Sequence, residues 1–141
     1  MRIADGRSYS IEKRTPDVDD YMRLRLCAGL TPFSREAAET GLAGTVFAVI
    51  VVNDDQVIGM GRLIGDGGCF FQVTDIAVDP DHQKRGLGKL IMTTIMEYVN
   101  TTLPETAYVS LIADVPANKL YEQVGFKETA PRSVGMSYIV R

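Results

Sequence analysis

The chain has 141 residues, of which 45% are hydrophobic and 23% are charged, and its formal net charge is −3. This length and composition allow one hydrophobic core and exclude a disordered protein, and the longest apolar run, 46–52, is too short to span a bilayer. The weak negative charge disfavours nucleic-acid binding, which normally requires a basic surface. We expect a single domain over residues 1–141 that has no secretory signal and stays in the cytoplasm.

The first part of the chain reads as one strand and two helices. Residues 9–14 alternate apolar and polar side chains, which is typical of an edge strand. A helix is predicted from Pro16 to about Ala28, because proline is favoured in a first helical turn. Its buried stripe is predicted at Val18, Met22 and Leu26. A second short helix should follow Ser34, a favourable N-cap, and end near Gly41.

The centre of the chain is rich in strand patterns. Residues 45–52, 56–63 and 69–78 are separated by turn-forming stretches, which predicts an antiparallel meander. A glycine-rich loop then leads into a helical pattern over 87–99. Because a strand, a helix and a further strand usually form a right-handed crossover, residues 108–112 should lie parallel to 69–78.

A fourth helix and two more strands are predicted toward the C-terminus. The helix covers about 117–124, and the strands cover 126–128 and 134–140. The predicted class is therefore α+β, with a mixed, mostly antiparallel sheet of about seven strands and about four helices on both of its faces.

The segment 83–89 lies where a strand ends and a helix begins. The free N–H groups and the positive dipole end of the helix favour an anion at such a place. Gly86 and Gly88 allow close approach of the backbone, while Lys84, Arg85 and Lys89 add positive charge. The same residues also suit an ordinary turn that carries solvated cations, so the pattern alone leaves two interpretations.

Two well-known phosphate motifs do not fit this loop. A P-loop requires Ser or Thr after the lysine, but Lys89 is followed by Leu90. A dinucleotide fingerprint requires a third small residue in the helix, where this chain has Ile91. ATP, GTP and nicotinamide cofactors are therefore disfavoured.

Two sequence signatures resemble those of the GCN5-related N-acetyltransferases. The pattern [QR]-x-x-G-x-[GA] is matched by 83–88, and the pattern A-x-x-L-Y-x-x-x-G-F is matched at every position by 117–126. Residues 73–80 also resemble the fourth strand of that family. The resemblance covers roughly residues 69–140 and implies that family's fold, in which the fourth and fifth strands splay apart.

The resemblance implies acetyl-CoA as co-substrate and no metal. Backbone groups of 76–78 would pair with the pantetheine arm, and N–H groups of 84–89 would hold the pyrophosphate. The implied cofactor-binding residues are Ile76, Ala77, Val78, Gln83, Lys84, Arg85, Gly86, Leu87, Gly88, Lys89 and Asn118.

The resemblance also implies catalytic roles. Tyr121 would protonate the departing thiolate, as a phenol with an ordinary pKa near 10 can do, although a core tyrosine used for packing is the alternative. The amine must lose a proton before it attacks, and Asp75 and Asp114 are the two candidate bases, with an ordered water as the alternative. For the only histidine, His82, we expect a solvated role or one beside the phosphates.

The acceptor is predicted to be the primary amine of a small molecule, such as an amino acid, amino sugar, polyamine or antibiotic-like amine. Phe33, Arg35 and Arg62 are the candidate substrate contacts. Two alternatives remain: an acetyltransferase for protein N-termini or lysines, and a CoA-binding module without catalysis. Homodimerisation is an expectation at the level of the family, and no nucleic-acid or membrane partner is expected.

Overall fold

A computed structural model of the chain describes residues 8–141. These residues fall into two compact units, the first ending at Leu111 and the second covering Ile112–Arg141. The strands of the first unit are β1 (Ser10–Glu12), β2 (Phe47–Asn53), β3 (Gln56–Gly65), β4 (Phe70–Val78) and β5 (Tyr108–Ser110). Its helices are α1 (Val18–Cys27), α2 (Arg35–Ala43) and α3 (Leu87–Thr102), and the second unit contains α4 (Asn118–Glu122).

The five strands form one mixed sheet in the order β1-β2-β3-β4-β5. The first four strands pair antiparallel in sequence, and β5 pairs parallel with β4. The predicted meander and the predicted parallel crossover are therefore confirmed. The α3 helix lies in that crossover, so its N-terminus is at the end of β4, as a βαβ unit requires.

Helices cover both faces of this sheet. On one face, α1 and α2 pack on the sheet through a cluster of buried residues: Tyr21, Leu24, Ala38, Leu42, Ile50, Val57, Met60 and Ala77. On the other face, α3 approaches β3 so closely that a Cβ atom on Gly61 would lie 2.5 Å from Ile91 Cγ2 and 2.7 Å from Ile76 Cδ1. Only glycine fits there, because real Cβ contacts do not reach such distances.

The α1 helix differs from its prediction. It begins after the N-cap Asp17, and its buried residues are Tyr21, Leu24 and Arg25. The predicted stripe is wrong at Leu26, which is 69% exposed. The physical reason is electrostatic, because an acidic partner neutralises Arg25 and lets a charged side chain occupy the buried face.

Two further expectations are also wrong. Within residues 8–141, five strands are formed rather than about seven, because neither 126–128 nor 134–140 is a strand in the structure. Alternating side chains favour an extended backbone, but a strand needs a hydrogen-bonded neighbour, and none of the described residues supplies one. Cys27 and Cys69 are exposed free thiols.

Two features are absent from the part of the chain that the structure describes. No helix within residues 8–141 combines the length and the hydropathy that a membrane span requires. Over the same range, no three His, Cys, Asp or Glu side chains form a group that could hold a metal ion.

Candidate active site

The β4 and β5 strands separate after a short stretch of pairing. Their register joins Phe70 to Tyr108 and ends where Gln72 meets Ser110. β4 continues to Val78. Its backbone edge beyond Gln72 therefore faces no strand among the described residues, which leaves N–H and C=O groups available to an extended ligand.

A β-bulge lies in this same part of β4, which has no partner on the β5 side but is paired with β3 on the other. Met60 pairs with Ala77 and Arg62 pairs with Thr74, so Gly61 lies opposite both Asp75 and Ile76. Asp75 has a φ of 58°, in the left-handed region that aspartate tolerates better than most residues. The bulge directs the Asp75 side chain toward α1, while Ile76 faces α3.

A tight turn connects β4 to the loop. The Asp79 side chain accepts a hydrogen bond from the Asp81 amide at 2.9 Å and begins a single 3-10 turn, Pro80–His82. The Gln83 side-chain amide then donates to the Val78 carbonyl at 2.9 Å. This bond was not predicted from the sequence, and it fixes the start of the loop to the end of the strand.

The N-terminus of α3 has the geometry of an anion site. Lys84 and Gly86 have φ values of 64° and 78°, a combination typical of the backbone nests that bind anions. Gly86 is the N-cap, and no side chain caps the helix. A Cβ atom on Gly86 would meet nothing within 4 Å, so the space beside the loop is open. The free N–H groups of the first turn can therefore bind an anionic group.

The loop also carries positive charge. Lys84 and Lys89 are exposed, while Arg85 is half-buried. Leu87 is buried at 2% exposure and anchors the start of α3 against the core. The buried Leu87 thus holds the backbone of the loop in place, and the exposed side chains of Lys84 and Lys89 can reach a phosphate from solvent.

Asp75 lies at the centre of a buried cluster of charged residues. Its Oδ1 accepts from Arg25 Nη1 at 2.5 Å, and its Oδ2 accepts from Arg62 Nη1 at 2.7 Å and from the Tyr21 hydroxyl at 2.9 Å. Burial, followed by the negative charge of Asp75, raises the pKa of Tyr21 to about 12. Tyr21 and Arg25 were not predicted as members of this site.

The three predicted substrate contacts have different environments. Arg62 is buried and uses its remaining donors on the Gly41 carbonyl at 2.7 Å and on Thr45 Oγ1 at 3.0 Å. Arg35 is exposed and pairs with Asp19 at 2.7 Å and with Glu39. Phe33 is half-exposed, and the Arg25 guanidinium lies 4.3 Å from its ring centroid.

His82 has an aromatic partner. Its Nδ1 lies 2.8 Å from the hydroxyl of Tyr9, and the two rings meet edge to face with centroids 5.6 Å apart. Tyr9 is buried at 1% exposure. This pair therefore connects the turn after β4 to the residue just before β1.

The second unit carries the remaining predicted site residues. The Oδ1 atom of Asn118 is shielded from solvent and has no hydrogen-bond partner among the described residues. Tyr121 is half-buried, and burial together with the negative charge of Asp114 raises its pKa. The helix that carries both residues ends before Gly125, whose φ of 101° requires glycine.

Comparisons with known proteins define the family. The model of the acetyltransferase (GNAT) domain matches residues 44–128, which is more than half of the chain. The chain therefore belongs to the GNAT acetyltransferase family. The matched region includes β2, β3, β4, the loop, α3, β5 and α4, so it contains every candidate cofactor and catalytic residue.

Individual relatives support this assignment. The crystal structure of the protein of unknown function SA2161 from meticillin-resistant Staphylococcus aureus is 47% identical, with a TM-score of 0.89 over 94% of this chain and 100% of that chain. The uncharacterized N-acetyltransferase ycf52 of Porphyra purpurea is 23% identical over 133 residues, 90% of this chain and 75% of that protein. The ribosomal protein bS18-alanine N-acetyltransferase of Salmonella typhimurium is 37% identical over 59 residues, 41% of this chain and 40% of that protein.

Proposed function

We propose that this member of the GNAT family transfers an acetyl group from acetyl-CoA to the primary amine of a small molecule. The observation that carries the proposal is that two stretches of backbone with free hydrogen-bonding groups follow one another directly in the chain. The unpaired edge of β4 ends at Val78, and the left-handed loop with its uncapped helix follows within a few residues. An extended arm that carries a diphosphate requires this combination.

The residues present fit acetyl-CoA. Residues 76–78 lie beyond the last pair with β5, where a pantetheine arm would add as an extra strand. Backbone N–H groups of 84–89 would hold the pyrophosphate, with Lys84 and Lys89 beside it. The unpaired Oδ1 of Asn118 would accept a hydrogen bond from an amide of the arm. When it is bound, acetyl-CoA supplies an activated acetyl thioester.

Tyr121 is the proposed general acid. Its raised pKa keeps the phenol protonated at neutral pH, which a proton donor to the departing thiolate requires. The proton acceptor for the amine is then Asp114 or an ordered water that relays the proton. The Asp75 carboxylate already accepts three hydrogen bonds, so we assign it a different role below.

A small-molecule acceptor is favoured over a protein. The connections that frame the sheet are short: Asp54 and Asp55 alone separate β2 from β3, and residues 66–69 separate β3 from β4. No described insertion in these connections would form a groove for a peptide. The Salmonella relative acts on a ribosomal protein, and its similarity to this chain covers only 41% of the residues.

The experiment that tests this proposal is a thiol-release assay with acetyl-CoA. One panel contains amino acids, amino sugars, polyamines and aminoglycosides, and a second contains peptides with free N-terminal alanine, serine or lysine. We expect turnover with at least one small amine and none above background with peptides. Turnover with peptides alone would replace the small-molecule acceptor, and CoA binding without any turnover would support a silent module.

A homodimer is a further part of the proposal. Residues 134–140 carry five exposed apolar side chains: Val134, Met136, Tyr138, Ile139 and Val140. Their backbone groups have no hydrogen-bond partner among the described residues. An unpaired apolar strand can pair antiparallel with the same segment of a second copy across a two-fold axis. Light scattering should show a dimer for the wild type and a monomer for Tyr138→Lys, and a monomeric wild type would refute this.

A cytoplasmic location is proposed on the chemistry of the thiols. Both cysteines are free and exposed, which suits a reducing compartment. Localisation of a fluorescent fusion would test it, and accumulation outside the cytoplasm would contradict it.

A further inference from the structure

We infer that Asp75 is a positioning residue that fixes the acceptor side of the site. Through Arg25 it holds the loop of residues 30–33, defined here as the α1–α2 loop, against the bulge of β4. This inference rests on the proposed function, in which the CoA arm pairs with β4, and it places the amine beside that loop, which carries the candidate substrate contact Phe33. Asp75 would then determine the affinity for the amine and not the proton transfer.

The Asp75 carboxylate is buried and accepts hydrogen bonds at both of its oxygens. Its side chain is 3% exposed, and both oxygens accept hydrogen bonds, three in total. Two of the donors are arginines that keep their charge at any relevant pH. A base must have a lone pair directed at the substrate proton, and here all described geometry directs the carboxylate toward α1 and β3.

Arg25 connects Asp75 to the α1–α2 loop. While Nη1 donates to Asp75, Nε donates to the Thr31 carbonyl at 2.9 Å and Nη2 donates to the same oxygen. The guanidinium also lies over the ring of Phe33. Within the described part of the chain, the only other hydrogen bond of this loop joins the Leu30 amide to the Arg25 carbonyl. Arg25 is therefore the main polar attachment of the loop, beside the packing of Leu30 against the core.

Arg62 extends the same arrangement to α2. It donates to Asp75, to the Gly41 carbonyl near the end of α2, and to Thr45 just before β2. A single carboxylate thus neutralises two arginines, one holding the segment before α2 and the other holding the end of α2. Removing the carboxylate would leave two buried arginines without their shared partner.

The substitution Asp75→Asn tests the positioning role of the carboxylate separately from the conformation of the backbone. Asparagine also tolerates the left-handed backbone, so the bulge can persist while the charge is removed. A matched control exists in the same sheet. Asp54 has a φ of 49° in the exposed turn between β2 and β3, so Asp54→Asn makes the same chemical change in the same backbone region.

The loop can be followed without any substrate. The chain contains no tryptophan, so Phe33→Trp introduces a single fluorophore on the loop, and a tryptophan ring still suits the Arg25 guanidinium. In this background we expect Asp75→Asn to lower the tryptophan anisotropy and to increase acrylamide quenching about twofold, because Arg25 loses its anchor. Asp54→Asn should change neither. If Asp75→Asn does not fold, Arg25→Lys replaces it, because lysine lacks the planar guanidinium whose separate nitrogens bond Asp75 and Thr31 at once.

A kinetic comparison completes the test, using the best amine of the panel. For Asp75→Asn we expect the KM for the amine to rise about tenfold, with kcat and the KM for acetyl-CoA within about twofold of wild type. If neither Asp75→Asn nor Arg25→Lys changes the anisotropy or the quenching of the tryptophan, Arg25 does not attach the loop to Asp75 and the inference is wrong. A hundredfold loss of kcat together with loss of the acidic limb of the pH profile would show instead that Asp75 is the base. If no amine is acetylated, the proposed function fails, and the fluorescence result still decides the tethering.

Discussion

The side-chain amide of Gln83 donates to the backbone carbonyl of Val78 at 2.9 Å, across the four residues that connect them. This bond closes the turn between the end of β4 and the loop before α3. Gln83, the first residue of the loop signature, is therefore bonded to the strand that precedes the loop. It determines where the left-handed residues of the loop lie relative to the open edge of β4.

Gln83→Ala should weaken acetyl-CoA binding about fivefold, because one hydrogen bond that orders the loop, worth about 1 kcal/mol, is lost. Isothermal titration with acetyl-CoA measures the effect. Gln56→Ala is the control, since Gln56 is an exposed glutamine at the start of β3. Equal affinities for the two variants would show that the bond to Val78 does not order the binding surface.

Gly86→Ala should both destabilise the protein and impair binding of acetyl-CoA. An alanine at a φ of 78° costs about 1 kcal/mol or more, and the loop relaxes away from its anion-binding form. Gly29→Ala is a matched control, because Gly29 has a φ of 82° and open space around it but lies just after α1. Both variants should lose similar stability in urea unfolding. Loss of acetyl-CoA affinity in both, or in neither, would contradict the assignment of the loop.

Tyr21→Phe should change the dependence of stability on alkaline pH. The folded pKa of Tyr21 is raised from 10.0 to about 12, so the unfolded chain loses this proton first. Tyr21 therefore stabilises the fold fully below pH 10, and this contribution is lost as the pH rises from 10 to 12. The difference in unfolding free energy between wild type and Tyr21→Phe should shrink over that range in urea titrations. A constant difference would contradict the raised pKa of Tyr21, and with it the buried position of its hydroxyl beside Asp75.

Tyr121→Phe should lower kcat about a hundredfold while the affinity for acetyl-CoA stays within about twofold, because the proton donor is lost and the ring remains. Since the pKa of Tyr121 is raised above 10.0, this group should not produce a loss of rate below pH 10 in the wild type. Steady-state kinetics with the best amine provide the measurement. Tyr98→Phe serves as control, because that ring stacks on Phe47 at 4.2 Å. An unchanged kcat in Tyr121→Phe would remove the general-acid assignment.

The parts of the site that could be predicted from sequence depend on local chemistry. The helix start at Ser34, the loop at the start of α3 and the open glycine at position 86 follow from residues close together in the chain. The buried face of α1 could not be predicted in this way. Arg25 is buried only because Asp75, 50 residues later, neutralises it, and a periodicity argument treats arginine as a solvent-facing residue.

The C-terminal segment shows the same limit. Its alternating pattern over 134–140 describes which side chains are apolar, but whether a strand forms depends on a hydrogen-bonding neighbour. The bulge at Asp75 was equally inaccessible, because it depends on the register between β3 and β4 and not on the residues of β4 alone.

The most direct test of the central claim is the thermal unfolding of the wild type with acetyl-CoA, NADH and ATP in parallel. At a concentration one hundredfold above Kd, a ligand of the folded state stabilises it by about 2.7 kcal/mol, which corresponds to a rise in Tm of roughly 8 °C for a domain of this size. We expect this rise with acetyl-CoA and no comparable rise with NADH or ATP. Stabilisation by ATP alone, with no response to acetyl-CoA, would contradict the assignment of the open edge of β4 and its loop to coenzyme A.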